Sequence, residues 1–275
     1  MLTHTSTSCT ANPVMSHPGT ALPMMTNAST FPVIKNLGRG AFGQVDLISS
    51  GKRQYALKQY HFEDLQSAKH RDLALEEGRV LQRISHPNIV RCYWVQVTKY
   101  TIYLLLQYID GGDLHHFIAQ RREKRDQHLF HPSISGIYNS GETLPSARGG
   151  SASASSSSAS TYKEDQGQFN ARTIFMWFRQ LLEALAHIHS LSILHRDIKP
   201  SNILLSSDLQ RVYLADFGVC RVLRRKGGMA CTNVGSPVYA APEVWSGKSY
   251  TNKVDIFSLG CCMYEVSTLK APFDG

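Results

Sequence analysis

The stretch His195-Arg196-Asp197-Ile198-Lys199-Pro200-Ser201-Asn202 sets a carboxylate, an ammonium and an amide in one short run. The carboxylate can accept a proton, the ammonium can neutralise a phosphate, and the amide oxygen can ligate a metal. Pro200 has no backbone N–H, so the run is not plain helix. His-Arg-Asp alone is short enough to arise by chance. Chemistry is the better reading only if partner residues occur in order on either side.

They do. Val33-Ile34-Lys35-Asn36-Leu37 reads as a strand, followed by Gly38-Arg39-Gly40-Ala41-Phe42-Gly43 and a second strand, Gln44-Val45-Asp46-Leu47-Ile48. Glycines let a backbone approach phosphate oxygens and aim N–H groups at them. The same spacing serves dinucleotide-binding folds, where a helix follows directly. Here a strand follows. Taken alone, the loop reads equally well as a tight hairpin with no ligand. Tyr55-Ala56-Leu57-Lys58 ends the next strand, where an isolated lysine is ordinarily a strand-face residue.

The elements that must position these groups are legible as patterns. Leu73, Leu75, Val80, Leu81 and Ile84 give a mostly helical spacing over about 67–85. Glu76 and Glu77 lie in that helix, and their bland reading is a solvated face. Gly78, beside them, costs about 1 kcal/mol relative to alanine. Two apolar strands are expected over 89–96 and 101–108, with Leu106 readable as simple core. The turn Asp110-Gly111-Gly112-Asp113-Leu114 caps a helix over 114–119.

From about 122 to 168 the pattern dissolves into a Ser-rich insertion that cannot offset its ordering entropy. Asn170 then caps a long helix over 171–190 with a broad apolar stripe. His187 and His189 on it face different directions, so they read as structural and not as metal ligands. Residues 203–205 and 212–214 form a short hairpin that ends at Asp216-Phe217-Gly218. Ala241-Pro242-Glu243 follows, and an apolar helix runs from Asp255 to about 268.

In this order, the glycine loop, the strand lysine, the helix glutamate, His-Arg-Asp-x-Lys-x-x-Asn, Asp-Phe-Gly and Ala-Pro-Glu resemble the eukaryotic protein kinases. The resemblance covers residues 31–275 apart from the insertion. Within that family the chain looks most like the NIMA-related (Nek) serine/threonine kinases. His86-Pro87-Asn88-Ile89-Val90, Tyr108-Ile109-Asp110-Gly111-Gly112-Asp113-Leu114 and Tyr250-Thr251-Asn252-Lys253-Val254-Asp255-Ile256 carry that likeness.

The resemblance implies an α+β, two-lobed fold. A β-rich N-lobe would span 31–108 and a mostly helical C-lobe 109–275, with ATP and Mg²⁺ between them. Gly38, Gly40 and Gly43 would cover the phosphates. Lys58 would hold the α- and β-phosphates and pair with Glu77, with Glu76 as the alternative. Leu37, Val45, Ala56 and Leu204 would line the adenine site, and Gln107 and Ile109 would offer it their backbone. Asn202 and Asp216 would ligate Mg²⁺. Asp197 would orient the acceptor hydroxyl and take its proton, while Lys199 steadies the γ-phosphate. Ser236 stands where the family usually has threonine. A phosphate on Thr232 would pair with Arg196. The partners implied are proteins with Ser or Thr acceptors, with cell-cycle or microtubule roles by family likeness.

The totals agree with an enzyme of this kind. The 275 residues are 42% hydrophobic, enough for a real core. The net charge of +8 has no nucleic-acid motif beside it and reads as solvated surface. The six cysteines show no metal-ligand spacing. With no secretory signal and no span-length apolar stretch, a reducing, cytoplasmic setting without a membrane is expected. Residues 1–30 read as a tail. The family has further helices after this point, including an arginine that would pair with Glu243. Without them the Asp255 helix is expected to lie exposed. A catalytically inactive ATP-binding scaffold is therefore the alternative to an active kinase.

Overall fold

The computed structural model describes residues 31–39, 43–65, 67–130, 169–223 and 236–273. Strands β1 (Val33–Arg39), β2 (Gln44–Ser50) and β3 (Arg53–His61) form a meander, which helix α1 (Ala68–Arg83) follows. Strands β4 (Cys92–Val97) and β5 (Thr101–Gln107) complete an antiparallel five-stranded sheet in the order β1-β2-β3-β5-β4. Alternation along β3 sends Tyr55 and Leu57 to the outer face, where they cluster with Ile48 and Leu105. Tyr60 faces the opposite way and packs with Ala74, Ile102 and Leu104 under α1. Ser67 caps α1 by accepting the His70 N–H.

The second lobe is mostly helical. Helices α2 (Leu114–Phe130) and α3 (Ala171–Ser190) precede a set of short strands. These are β6 (Ile193–Leu194), β7 (Ile203–Leu205), β8 (Val212–Leu214) and β9 (Arg221–Val222). β7 pairs with β8 and β6 with β9. Helices α4 (Pro242–Trp245) and α5 (Lys253–Thr268) follow. One core runs from the end of α1 (Val80, Leu81, Ile84) through Trp177, Leu181 and Leu185 of α3 to Leu259, Cys262 and Val266 of α5. The fold is thus α+β and two-lobed.

Three elements differ from the sequence expectation. The β4 strand starts at Cys92, not near Ile89. Ile89 instead bridges Leu214, and the backbone around it exchanges bonds with Leu214 at 3.0 and 2.8 Å. The segment expected to open a strand is a tie between the lobes. Helix α2 continues past Ala119 to Phe130, into the stretch read as insertion. Arg122 there donates to the Leu269 carbonyl at 2.8 Å and to Glu265 at 2.7 Å. Helix α5 is not left bare: it buries Val254, Asp255, Ser258, Leu259, Cys261, Cys262, Glu265 and Val266, while Ile256 and Tyr264 stay exposed. Helix α3 and the Pro237–Tyr239 turn pack against it, and Val254 joins a cluster with Leu194, Ala241, Val244 and Tyr250.

Gly78 has a structural reason. A Cβ there would lie 3.1 Å from Val95 Cγ1 and 3.3 Å from Leu104 Cδ2, so α1 sits close on the sheet because position 78 has no side chain. Gly78→Val should push α1 off β4 and β5 and cost about 1–3 kcal/mol, measured by chemical denaturation. An unchanged midpoint would contradict this packing.

Candidate active site

Lys58 sits on β3 with its side chain under α1. Its Nζ donates to Glu77 Oε1 at 2.9 Å and Oε2 at 3.2 Å, and to Asp216 Oδ1 at 2.8 Å. Glu77 is 1% exposed, whereas Glu76 points out and meets Arg79 at 3.6 Å. The helix register thus selects Glu77 as the partner of Lys58. Burial alone would lower the Lys58 pKa, but Asp216 and Glu77 outweigh it and raise it well above the ordinary value. The Lys58 ammonium holds Asp216 down at about 2. Burial raises Glu77 against the pull of Lys58.

A second cluster forms around Asp197. Asn202 Nδ2 donates to the Asp197 carbonyl at 2.8 Å and to Oδ2 at 3.0 Å. Lys199 Nζ lies 2.7 Å from Asp197 Oδ2 and donates to Ser236 Oγ at 2.9 Å. Ser236 in turn donates to Asp197 Oδ1 at 2.8 Å. One backbone frame joins the two clusters. Ala215 N–H donates to the Asn202 carbonyl at 2.9 Å, and Asp216 is the next residue.

The loop that carries Asp197 is held from below by Asp255 of α5. Asp255 is 1% exposed, and its carboxylate accepts the N–H groups of His195 at 3.0 Å and Arg196 at 2.9 Å. His189 Nε2 lies 2.7 Å from the same carboxylate. Arg196 has φ 69°, a left-handed conformation that a non-glycine residue keeps only when its surroundings impose it. His195 is buried, and burial lowers its pKa against the pull of Asp255 and Asp197. Its Nδ1 accepts the Asp197 N–H at 3.3 Å, which assigns the proton to Nε2 and a bond to the Ala215 carbonyl at 3.1 Å. Phe217 is fully buried against that ring at 4.7 Å. Sequence reasoning missed Asp255, reading it only as the start of a helix. An acidic residue opening an otherwise apolar helix was the available signal.

The remaining expected residues fall as follows. Val45 and Ala56 lie on adjoining strands of the sheet, with Ala56 opposite Leu106. Leu106 and Leu204 pack against the cluster of Val90, Ile109 and Tyr213. The Gln107 N–H is committed to the Arg91 carbonyl at 2.8 Å. Leu37 and Gly38 lie on β1, which is exposed along its length. Arg196 donates to the carbonyls of Val219 at 2.7 Å and Cys220 at 3.2 Å. His187 stacks on His86, with ring centroids 5.3 Å apart. Gly40 and Thr232 lie outside the described residues.

The donor set suits a divalent cation with a phosphate ligand. Asp216 and Asn202 offer hard oxygens. The Asn202 amide nitrogen is spent on Asp197, so its amide oxygen is the atom it could offer a cation. Asp216 uses Oδ1 on Lys58 and keeps Oδ2. Among the described residues no helix is long and apolar enough to cross a membrane.

A family model described as "Protein kinase domain" matches residues 31–144 and 145–275. The chain is 34% identical over 247 residues to serine/threonine-protein kinase Nek5 of Homo sapiens, and 32% identical over 247 residues to Nek3 of Mus musculus. It is 32% identical over 243 residues to Nek1 of Mus musculus. These alignments cover 89%, 88% and 88% of this chain, but only 29%, 39% and 16% of the relatives' own lengths.

The Asp255 carboxylate carries a stability prediction. Asp255→Ala removes the acceptor that the His195 and Arg196 backbone N–H groups share and should cost about 2–4 kcal/mol in urea unfolding. A loss under about 0.5 kcal/mol would mean that the loop does not depend on it.

Proposed function

We propose that this chain, which belongs to the protein kinase family, transfers the γ-phosphoryl group of ATP to serine or threonine hydroxyls of other proteins. The observation that carries the reading is the joining of two clusters, Lys58–Glu77–Asp216 and Asp197–Lys199–Asn202–Ser236, through the Ala215–Asn202 backbone bond.

Bound ATP supplies the phosphoryl group, and Mg²⁺ neutralises its charge. The protein supplies position and electrostatics, which is most of what such a transfer needs. Lys58, held by Glu77, would bind the α- and β-phosphates. Asp216 and Asn202 would hold the cation with their side-chain oxygens. Asp197 would orient the acceptor hydroxyl and take its proton. Ser236 already donates a hydroxyl to Asp197 Oδ1 at 2.8 Å, which is the bond an acceptor serine or threonine would make. Lys199, between Asp197 and Ser236, would steady the transferring group. Gly38, Gly40 and Gly43 would cover the phosphates. Leu37, Val45, Ala56 and Leu204 would flank the adenine, with Gln107 and Ile109 at its edge.

The test is phosphate transfer from ATP and Mg²⁺ to a generic Ser/Thr protein by the 275-residue chain. Asp197→Asn should lower the rate about 10³-fold while leaving ATP affinity within a factor of about three. Equal rates from the two proteins, or no transfer by folded wild-type chain, would refute the proposal.

A further inference from the structure

Tyr60 lies two positions after Lys58 on β3, so both side chains leave the same face of the sheet. It is 4% exposed, and its ring fills the space between β3, β5 and α1 beside Leu65, Ala74, Ile102 and Leu104. A core tyrosine needs no further explanation until its hydroxyl is followed. That hydroxyl donates to Glu77 Oε2, the carboxylate oxygen on which Lys58 has its longer bond. The Lys58 ammonium also stands 5.2 Å from the centre of the same ring. A Cβ on Gly43 would collide with the Gln59 carbonyl and meet the Tyr60 ring at 3.0 Å. Tyr60 therefore touches the last glycine of the loop, the strand lysine and the helix glutamate at once.

We propose that Tyr60 is a positioning residue: its hydroxyl fixes the Glu77 carboxylate so that Lys58 is held in one place, and its ring seats Gly43. The inference rests on the kinase reading of the site, since it concerns the same lysine and glutamate. Glu77 is a carboxylate in the lobe interior with two protein donors, Lys58 and Tyr60. A buried acceptor left short of a donor loses most of what its hydrogen bond supplied. Lys58 is shared with Asp216 and would be shared again with phosphate. Among the described residues the Tyr60 hydroxyl donates to Glu77 alone, so it keeps Glu77 in place whatever Lys58 does.

The direction of the effect follows from charge. Burial, and then the Glu77 charge, raise the Tyr60 pKa well above its ordinary value, so its O–H stays a donor. The groups facing Glu77 are Lys58 and Tyr60 from β3 and Asp216 beyond β8. The thiols of Cys92 and Cys220 also lie within its field. Burial raises the Glu77 pKa, and Lys58 and the Tyr60 hydroxyl lower it. Removing that hydroxyl must move Glu77 further up. The ionised Lys58–Glu77 pair is then lost at a higher pH as the solution is acidified.

The experiment compares wild type, Tyr60→Phe, Glu77→Gln and the double variant in the full chain. Tyr60→Phe keeps the ring, and the fold is checked by its thermal midpoint. Expected are a fall of about tenfold in kcat/KM for ATP, and an acid limb of the pH profile displaced upward. In the Glu77→Gln background Tyr60→Phe should add little, because the two residues act as one unit. The activity-independent readout is the titration of the Glu77 carboxyl by ¹³C-glutamate NMR, assigned by its loss in Glu77→Gln. An unmoved Glu77 midpoint, or an equal loss of activity in both backgrounds, overturns the assignment of Tyr60. If the wild-type chain transfers no phosphate, the kinase reading fails separately, and the carboxyl titration still decides whether Tyr60 holds Glu77.

Discussion

One ammonium group joins carboxylates from both lobes: Lys58 bonds Glu77 of α1 and Asp216 after β8. Lys58 is nearly buried, and burying an unpaired charge costs several kcal/mol. The sheet meets that cost by setting Glu77 on one side and Asp216 on the other. Each carboxylate reaches Lys58 only if its own element is docked. α1 must lie close on β4 and β5, which requires Gly78, and the segment after β8 must turn Asp216 into the cleft at φ 60°. The ion cluster is thus a readout of correct assembly as well as a site. It commits Lys58 to one position and leaves the second oxygen of Asp216 outside the ion pair.

The other half of the site depends on a different anion. Asp255 holds the backbone of His195 and Arg196 from α5, far along the chain. Its bonds impose the left-handed conformation at Arg196 that aims Asp197 at Ser236 and Lys199. His195 continues the frame as a ring bridging the Asp197 N–H and the Ala215 carbonyl. Arg122, Tyr239 and Glu265 make a comparable anchor lower down, with Tyr239 donating to Glu265 at 2.6 Å. In both places a buried carboxylate on α5 organises elements that sequence separates widely.

Much of this was legible in the sequence because the chemistry is local. Lys58, His195 to Asn202 and Asp216-Phe217-Gly218 each fit within a few residues, and the β7–β8 hairpin appears with the expected bounds. What escaped was set by contacts across the chain. The α2 helix past Ala119 is charged and has no apolar stripe to announce it; Arg122 reaching Glu265 and Leu269 anchors it. The register at Ile89 is decided by Leu214, and the burial of α5 by α3 and the Pro237–Tyr239 turn. Tyr60 and Asp255 are ordinary residues in their own strand and helix. Only the residues that fold against them reveal what their polar atoms do.

Lys58 stays charged in the interior because the Asp216 and Glu77 carboxylates outweigh its burial. The most direct test is the ¹⁵N NMR titration of the Lys58 ammonium in the folded chain, assigned through Lys58→Arg. With Glu77 and Asp216 in place, its pKa must lie above the ordinary 10.5, and the group must remain an ammonium to the alkaline limit of the fold. Burial without those partners would move it the other way. A Lys58 that loses its proton below 10.5 would contradict the assembled site.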